Sequence, residues 1–142
     1  MDRNLRNYNK YLDSLLLYAK AHNISVAFKE VPGDGQYVPA KREIQIDNDM
    51  SQSSVISTIL HELGHALDDS ISWKKPNSYL GKAYDAVYSI TGSPTAKQLE
   101  AVIACEKRAW DMGEVIAKQC KIKLGKWYFK GKLSALNNYR KT

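Results

Sequence analysis

From Leu5 through Tyr8, Leu12, Leu15, Leu16 and Ala19, apolar residues recur at three- and four-residue steps, which predicts an amphipathic helix over about residues 3–21. The pattern then changes to alternation. Ile24–Val31 reads ISVAFKEV, rich in β-formers, and predicts a strand. Pro32-Gly-Asp-Gly35 marks a turn, and Gln36–Asp47 predicts a second extended stretch with Ile44 and Ile46 on one face. Pro39 has no N–H to give a ladder, so this stretch is bent or lies at a sheet edge. After the cap-rich NDMSQSS, a helical period returns over about 52–69, and residues 70–78 are expected to form a loop. Leu80, Tyr84, Val87 and Tyr88 place a helix over about 78–90, with Thr91–Pro94 as its breaker. Ser93-Pro94 suits a cap followed by proline at the first helical position, opening a long helix over about 94–122. Beyond it, Trp127–Phe129 reads as extended and Lys132–Lys141 as a short helix.

These elements imply a mainly helical α+β domain with a small antiparallel sheet beside the 52–69 helix. At 142 residues the chain suits one domain, 1–142. Neither repeats nor a linker interrupts it. No run of about 18 apolar residues is present, and the charged N-terminus does not resemble a signal peptide, so a membrane span is not expected. Cys105 and Cys120 fall on one predicted helix, roughly 22 Å apart, too far for a disulfide. Reduced thiols of a cytoplasmic protein are the expectation.

Charge alters this picture at one end only. The chain carries a net +6, but residues 115–142 hold eight Lys/Arg and no acid, leaving −2 on the rest. This basic segment, about 118–142, is interleaved with Trp127, Tyr128 and Phe129. It suits either a solvated helix end or a contact with nucleic acid, and no base-reading motif accompanies it.

The chemistry concentrates in Ile59-Leu-His-Glu-Leu-Gly-His-Ala66. His61 and His65 stand one turn apart on one helix face, a spacing that lets two imidazoles share one zinc ion. Glu62 follows about 100° round the helix, where a carboxylate can take a proton from water at the ion. A catalytic zinc site needs a third protein ligand. The extended form H-E-x-x-H-x-x-G-x-x-H is excluded, because Asp68 and Ile71 occupy its last two positions. His22, in the turn after the first helix, reads as incidental. Asp68 and Asp69 suit holding an imidazole N–H or plain exposure. On the 94–122 helix the apolar stripe runs Leu99, Val102, Ile103, Glu106, Trp110, Gly113 and Ile116. A carboxylate in that core-facing slot needs a partner, and a divalent ion is one. Glu106 is therefore the first candidate, with Glu100 and Glu114 as alternatives, and pairing of Glu106 with Arg108, a lysine or a tyrosine as the reading without metal.

With these residues placed, the chain resembles the ImmA/IrrE family of zinc metallo-endopeptidases. The likeness rests on Tyr37-Val-Pro39 through Arg42, Ile44 and Ile46, on Ile56–Leu67, and more loosely on Glu106–Ala117. It covers about a third of the chain. The resemblance implies a minimal zincin-like fold, Zn2+ as cofactor and a protein or peptide substrate; family members often accompany phages or mobile elements and act on repressors. The chain departs from the family in the long interval from His65 to Glu106, with its extra helix, and in its basic tail. The expected activity is peptide hydrolysis with zinc on His61, His65 and Glu106 and Glu62 as general base. The 36–47 stretch is expected to bind substrate backbone by strand addition, and Tyr79, Tyr84, Tyr88 and Arg108 are candidates for stabilising the oxyanion. The rival expectations are a non-catalytic zinc-containing module that contacts DNA or a DNA-binding protein through its basic end, and zinc hydrolysis of a non-peptide substrate.

Overall fold

The protein is described by a computed structural model that covers residues 5–68, 78–90 and 92–140. Helix α1 (Tyr8–Ala21) leads into strand β1 (Ser25–Lys29). Asn23 sits at φ +59°, and the Ile24 N–H reaches back to the Ala19 carbonyl at 2.9 Å. Asparagine tolerates this left-handed position better than other non-glycine residues, so the chain can stop the helix and turn sharply into the strand.

Strands β2 (Gly35–Val38) and β3 (Glu43–Asp47) follow, separated by a 3-10 turn at Pro39–Lys41. The bend expected at Pro39 is this turn. The sheet order is β1-β3-β2, with β3 parallel to β1 and antiparallel to β2. The sheet is thus mixed, where an antiparallel one was expected. Two chain reversals restore the original direction, and β3 enters between the earlier strands instead of beside β2's outer edge. Its composition favours the central place: Ile44 and Ile46 are fully buried and Gln45 nearly so.

Helix α2 (Gln52–Ala66) starts at Ser51, whose hydroxyl accepts the Ser54 N–H. Helix α3 (Tyr79–Tyr88) is capped in the same way by Ser78. Helix α4 (Ala96–Gln119) begins one turn-forming step later than Ser93-Pro94 suggested. Thr95 is the N-cap, and a reciprocal bond with Gln98 completes a capping box that outcompetes proline as the start signal. Helix α5 (Lys126–Arg140) replaces the expected extended Trp127–Phe129 and short terminal helix with one continuous helix. Tyr128 and Leu136, two turns apart on it, are both buried, and packing of that face decides the conformation over the β-propensity of three adjacent aromatics. The first helix begins at Tyr8, not near residue 3, although residues 1–4 lie outside the described part.

The core joins α1, β3, α2 and α4 through Leu15, Ile44, Ile56, Leu60, Leu63 and Ile116. Close approach of α2 and α4 requires glycine at two places. A Cβ on Gly64 would stand 2.1 Å from the Ala109 carbonyl oxygen, and one on Gly113 would stand 3.2 Å from the Leu60 carbonyl oxygen and 2.6 Å from the hydroxyl of Tyr128 on α5. Cys105 and Cys120 are both free thiols. Among the described residues no helix is long and apolar enough to cross a membrane.

Candidate metal centre

The tight α2–α4 contact brings residues 45 positions apart into one cluster. His61 Nε2 lies 3.1 Å from Glu106 Oε1, and His65 Nε2 lies 2.8 Å from Glu106 Oε2. The three donor atoms all lie within 4.8 Å of one another. The group can hold a metal ion. Two imidazole nitrogens and a carboxylate oxygen, with the fourth side open, form a donor set that suits a catalytic divalent ion. Glu106 is only 6% exposed, so its charge demands compensation there. Glu100 is exposed on the outer face of α4. Glu114 instead receives a 2.6 Å bond from Lys132. Neither joins the cluster.

Electrostatics follow from the same crowding. Burial works to raise the Glu106 carboxyl pKa, but hydrogen bonds from His61 and His65 outweigh it and hold the group well below the usual carboxylate range. Burial likewise opposes the charged form of His65. Its contacts with Cys105 and Glu106 prevail and push it up to about 10. In the absence of a cation the cluster therefore keeps a proton, which an incoming metal ion has to displace.

Glu62 lies beside the trio, its Oε2 3.9 Å from His61 Nε2. Burial pushes its carboxyl pKa up, partly offset by the two imidazoles and by a hydrogen bond from the Tyr37 backbone N–H. That last contact ties β2 to the site. A raised pKa on a carboxylate beside an open metal position is what a general base requires.

Tyr84, on α3, donates from its hydroxyl to Glu106 Oε2 at 2.6 Å. It therefore sets the orientation of the carboxylate. Tyr88 lines the groove above the cluster and hydrogen-bonds through its hydroxyl to Tyr139 of α5. Tyr79 is exposed and lines neither groove at the site. Arg108 is engaged with Asp68, its Nε 3.0 Å from Oδ2. Asp68 is therefore held by a guanidinium; Asp69 lies outside the described residues. His22 bonds the Tyr18 carbonyl at 2.9 Å, at the end of α1.

Two contacts had no counterpart in the motif reading. Trp110 covers the His61 ring, with centroids 4.4 Å apart, and the Cys105 thiol lies 4.0 Å from His65 Nδ1. Trp110 stands one turn beyond Glu106 on the same stripe, so its place beside the cluster follows from helical spacing once Glu106 is placed there. His61 Nδ1 is buried without a hydrogen-bond partner among the described residues, so that ring is held by its Nε2 contact with Glu106 and by packing under Trp110.

Two open grooves meet over the cluster. One, of about 580 Å³, runs under β2 past Gln36 and Tyr37; the other, of about 690 Å³, runs between α2 and α5. Both include His61, Glu62, Tyr88 and Glu106. No family model matches the chain, and neither the curated proteins nor the solved structures give a match.

Proposed function

We propose that the protein is a zinc-dependent endopeptidase in which Glu62 is the general base. The observation that carries this reading is the convergence of two imidazoles, a buried carboxylate and a second, proton-accepting carboxylate on the floor of an open groove. Zinc bound by His61, His65 and Glu106 would supply Lewis acidity, making water a nucleophile near neutral pH and polarising a carbonyl.

The rest is work for the chain's own groups. Glu62 Oε2 takes the proton of the attacking water and returns it to the leaving amine. Its contact with the Tyr37 N–H keeps it in place for both transfers. Tyr84 holds Glu106 in orientation. Tyr88 lines both grooves, and its phenol would donate to charge developing on the scissile oxygen. β2 is an edge strand, so an extended backbone lying along it would be held by main-chain bonds with modest sequence selectivity. The family resemblance makes a repressor-type regulatory protein the first physiological substrate to assay.

The test is purified protein loaded with zinc, its metal content measured, and cleavage of labelled protein and peptide substrates followed with the parent and with Glu62→Gln. Expected are one zinc per chain in both proteins and cleavage in the parent alone. Equal cleavage by the variant removes Glu62 from its role, and protein that stays metal-free under zinc supplementation removes the enzyme reading altogether.

A further inference from the structure

The groove between α2 and α5 has an unusual construction for a helix–helix contact. Its α2 wall is Ser54, Ser57 and Thr58, and its α5 wall is Gly131, Ser134, Ala135 and Asn138, with Trp127 and Tyr139 at the two ends of that stretch. Such small side chains ordinarily let two helices close up. Here Tyr128 and Leu136, on the adjoining face of α5, are buried in the core and set where that helix stands. The small residues are therefore left facing open space. The resulting trough ends at His61 and Glu62.

Its chemistry narrows the occupant. Hydroxyls and an amide along both walls suit a main chain with its own donors and acceptors. Among the described residues the charged side chains lining it are Asp34, Glu62 and Glu106, all acidic, with no lysine or arginine. The basic residues of α5 lie elsewhere: Lys126 and Lys130 are exposed outside the trough, and Lys132 is paired with Asp111 and Glu114. A polyanion finds no counter-charge in this trough.

We infer that the trough is the channel for one side of an extended polypeptide substrate with neutral or basic side chains, and that Gly131 is its specificity-determining position. This deepens the peptidase reading and rests on it. The argument for Gly131 is spatial. A Cβ there meets only the Trp110 ring edge at 3.7 Å, an ordinary contact, so larger side chains are accommodated by the fold and project into the trough. Gly131→Leu also raises helix propensity, so lost folding does not account for its effect.

The experiment uses the full chain, zinc-loaded and carrying Glu62→Gln so that bound peptide persists. The probes are a fluorescent random decapeptide library without Asp or Glu, an acidic counterpart library, and a single-stranded oligonucleotide, with binding read by anisotropy. Expected are binding of the neutral-to-basic library alone, a loss of at least ~10-fold with Gly131→Leu, an intermediate loss with Gly131→Ala, no change with Lys130→Glu, zinc content maintained throughout and a thermal midpoint that no variant lowers. Unchanged binding with Gly131→Leu overturns the proposal. So does absence of peptide binding, or preference for the acidic library or the oligonucleotide. In the active-site parent, peptides that bind and are never cut count against hydrolysis and leave the channel standing. Peptides cut equally well with Gly131→Leu count against the channel and leave hydrolysis standing.

Discussion

Gly64 tests the link between packing and the metal centre. Replacing it with alanine places a Cβ 2.1 Å from the Ala109 carbonyl oxygen. The obstacle is backbone, which does not rotate away, and the shortfall from van der Waals contact is about 1 Å. Relief requires α4 to move off α2. Overpacking of this kind costs about 1–3 kcal/mol or more, and this contact falls at the upper end. The gain from replacing a helical glycine is about 1 kcal/mol. The net loss is therefore about 2 kcal/mol, a fall in midpoint of about 6 °C for a domain of this size. The same movement carries Glu106 away from His61 and His65, while ligand distances have to hold within about 0.2 Å. Zinc affinity should fall by at least ~10-fold, comparable to losing an outer contact of a metal ligand. Thermal unfolding by circular dichroism of the metal-free protein and chelator competition of the loaded protein measure the two effects separately. Gly131→Ala is the control, where the open surroundings should make alanine stabilising by about 0.5–1 kcal/mol. An unchanged or raised midpoint for Gly64→Ala, with zinc affinity intact, refutes the argument that this close approach sets the site.

Other predictions follow from individual contacts. Tyr84→Phe removes the 2.6 Å bond to Glu106 and should lower zinc affinity ~10-fold by chelator competition; parent-like affinity dismisses the positioning role. Glu62→Gln should lower the cleavage rate at least ~10²-fold at unchanged zinc content, as measured by progress curves alongside metal analysis. Burial acts to raise the Asp111 pKa, but Lys107 and Lys132 outweigh it and hold it lowered. Its stabilising contribution is therefore complete above its ordinary value of 3.8 and fades as pH falls through the lowered native value. Being half-exposed, it contributes about 1 kcal/mol or less. Lys132→Met should make the midpoint less sensitive to acid in that window, and an identical pH profile argues against the pairing.

Much of the site was legible before any coordinates. His61, Glu62 and His65 are local: helical geometry alone puts them on neighbouring faces one turn apart, so their spacing specifies their relation. Glu106 was legible for a different reason, as a carboxylate in the apolar stripe of a long helix, which singled it out over Glu100 and Glu114 without saying what it met. The helices with regular stripes and caps were legible in the same way, since periodicity and capping are written within a few residues of one another.

What tertiary structure alone decided is everything that depends on two distant segments sharing space. β3 lies between β1 and β2 and makes the sheet mixed, because burial of Ile44 and Ile46 rewards the centre of the sheet, a preference no local pattern encodes. Trp110 meets His61 through the α2–α4 contact at Gly64, Tyr84 reaches Glu106 from α3, and the Tyr37 N–H reaches Glu62 from a sheet edge. The last helix shows the limit most plainly. Trp127, Tyr128 and Phe129 favour extension by local preference, yet burial of Tyr128 and Leu136 against α2 and α4 stabilises a continuous helix, and with it a wall for the groove. Sequence determines such elements only through the energy of packing, which is summed over the whole molecule and not along the chain.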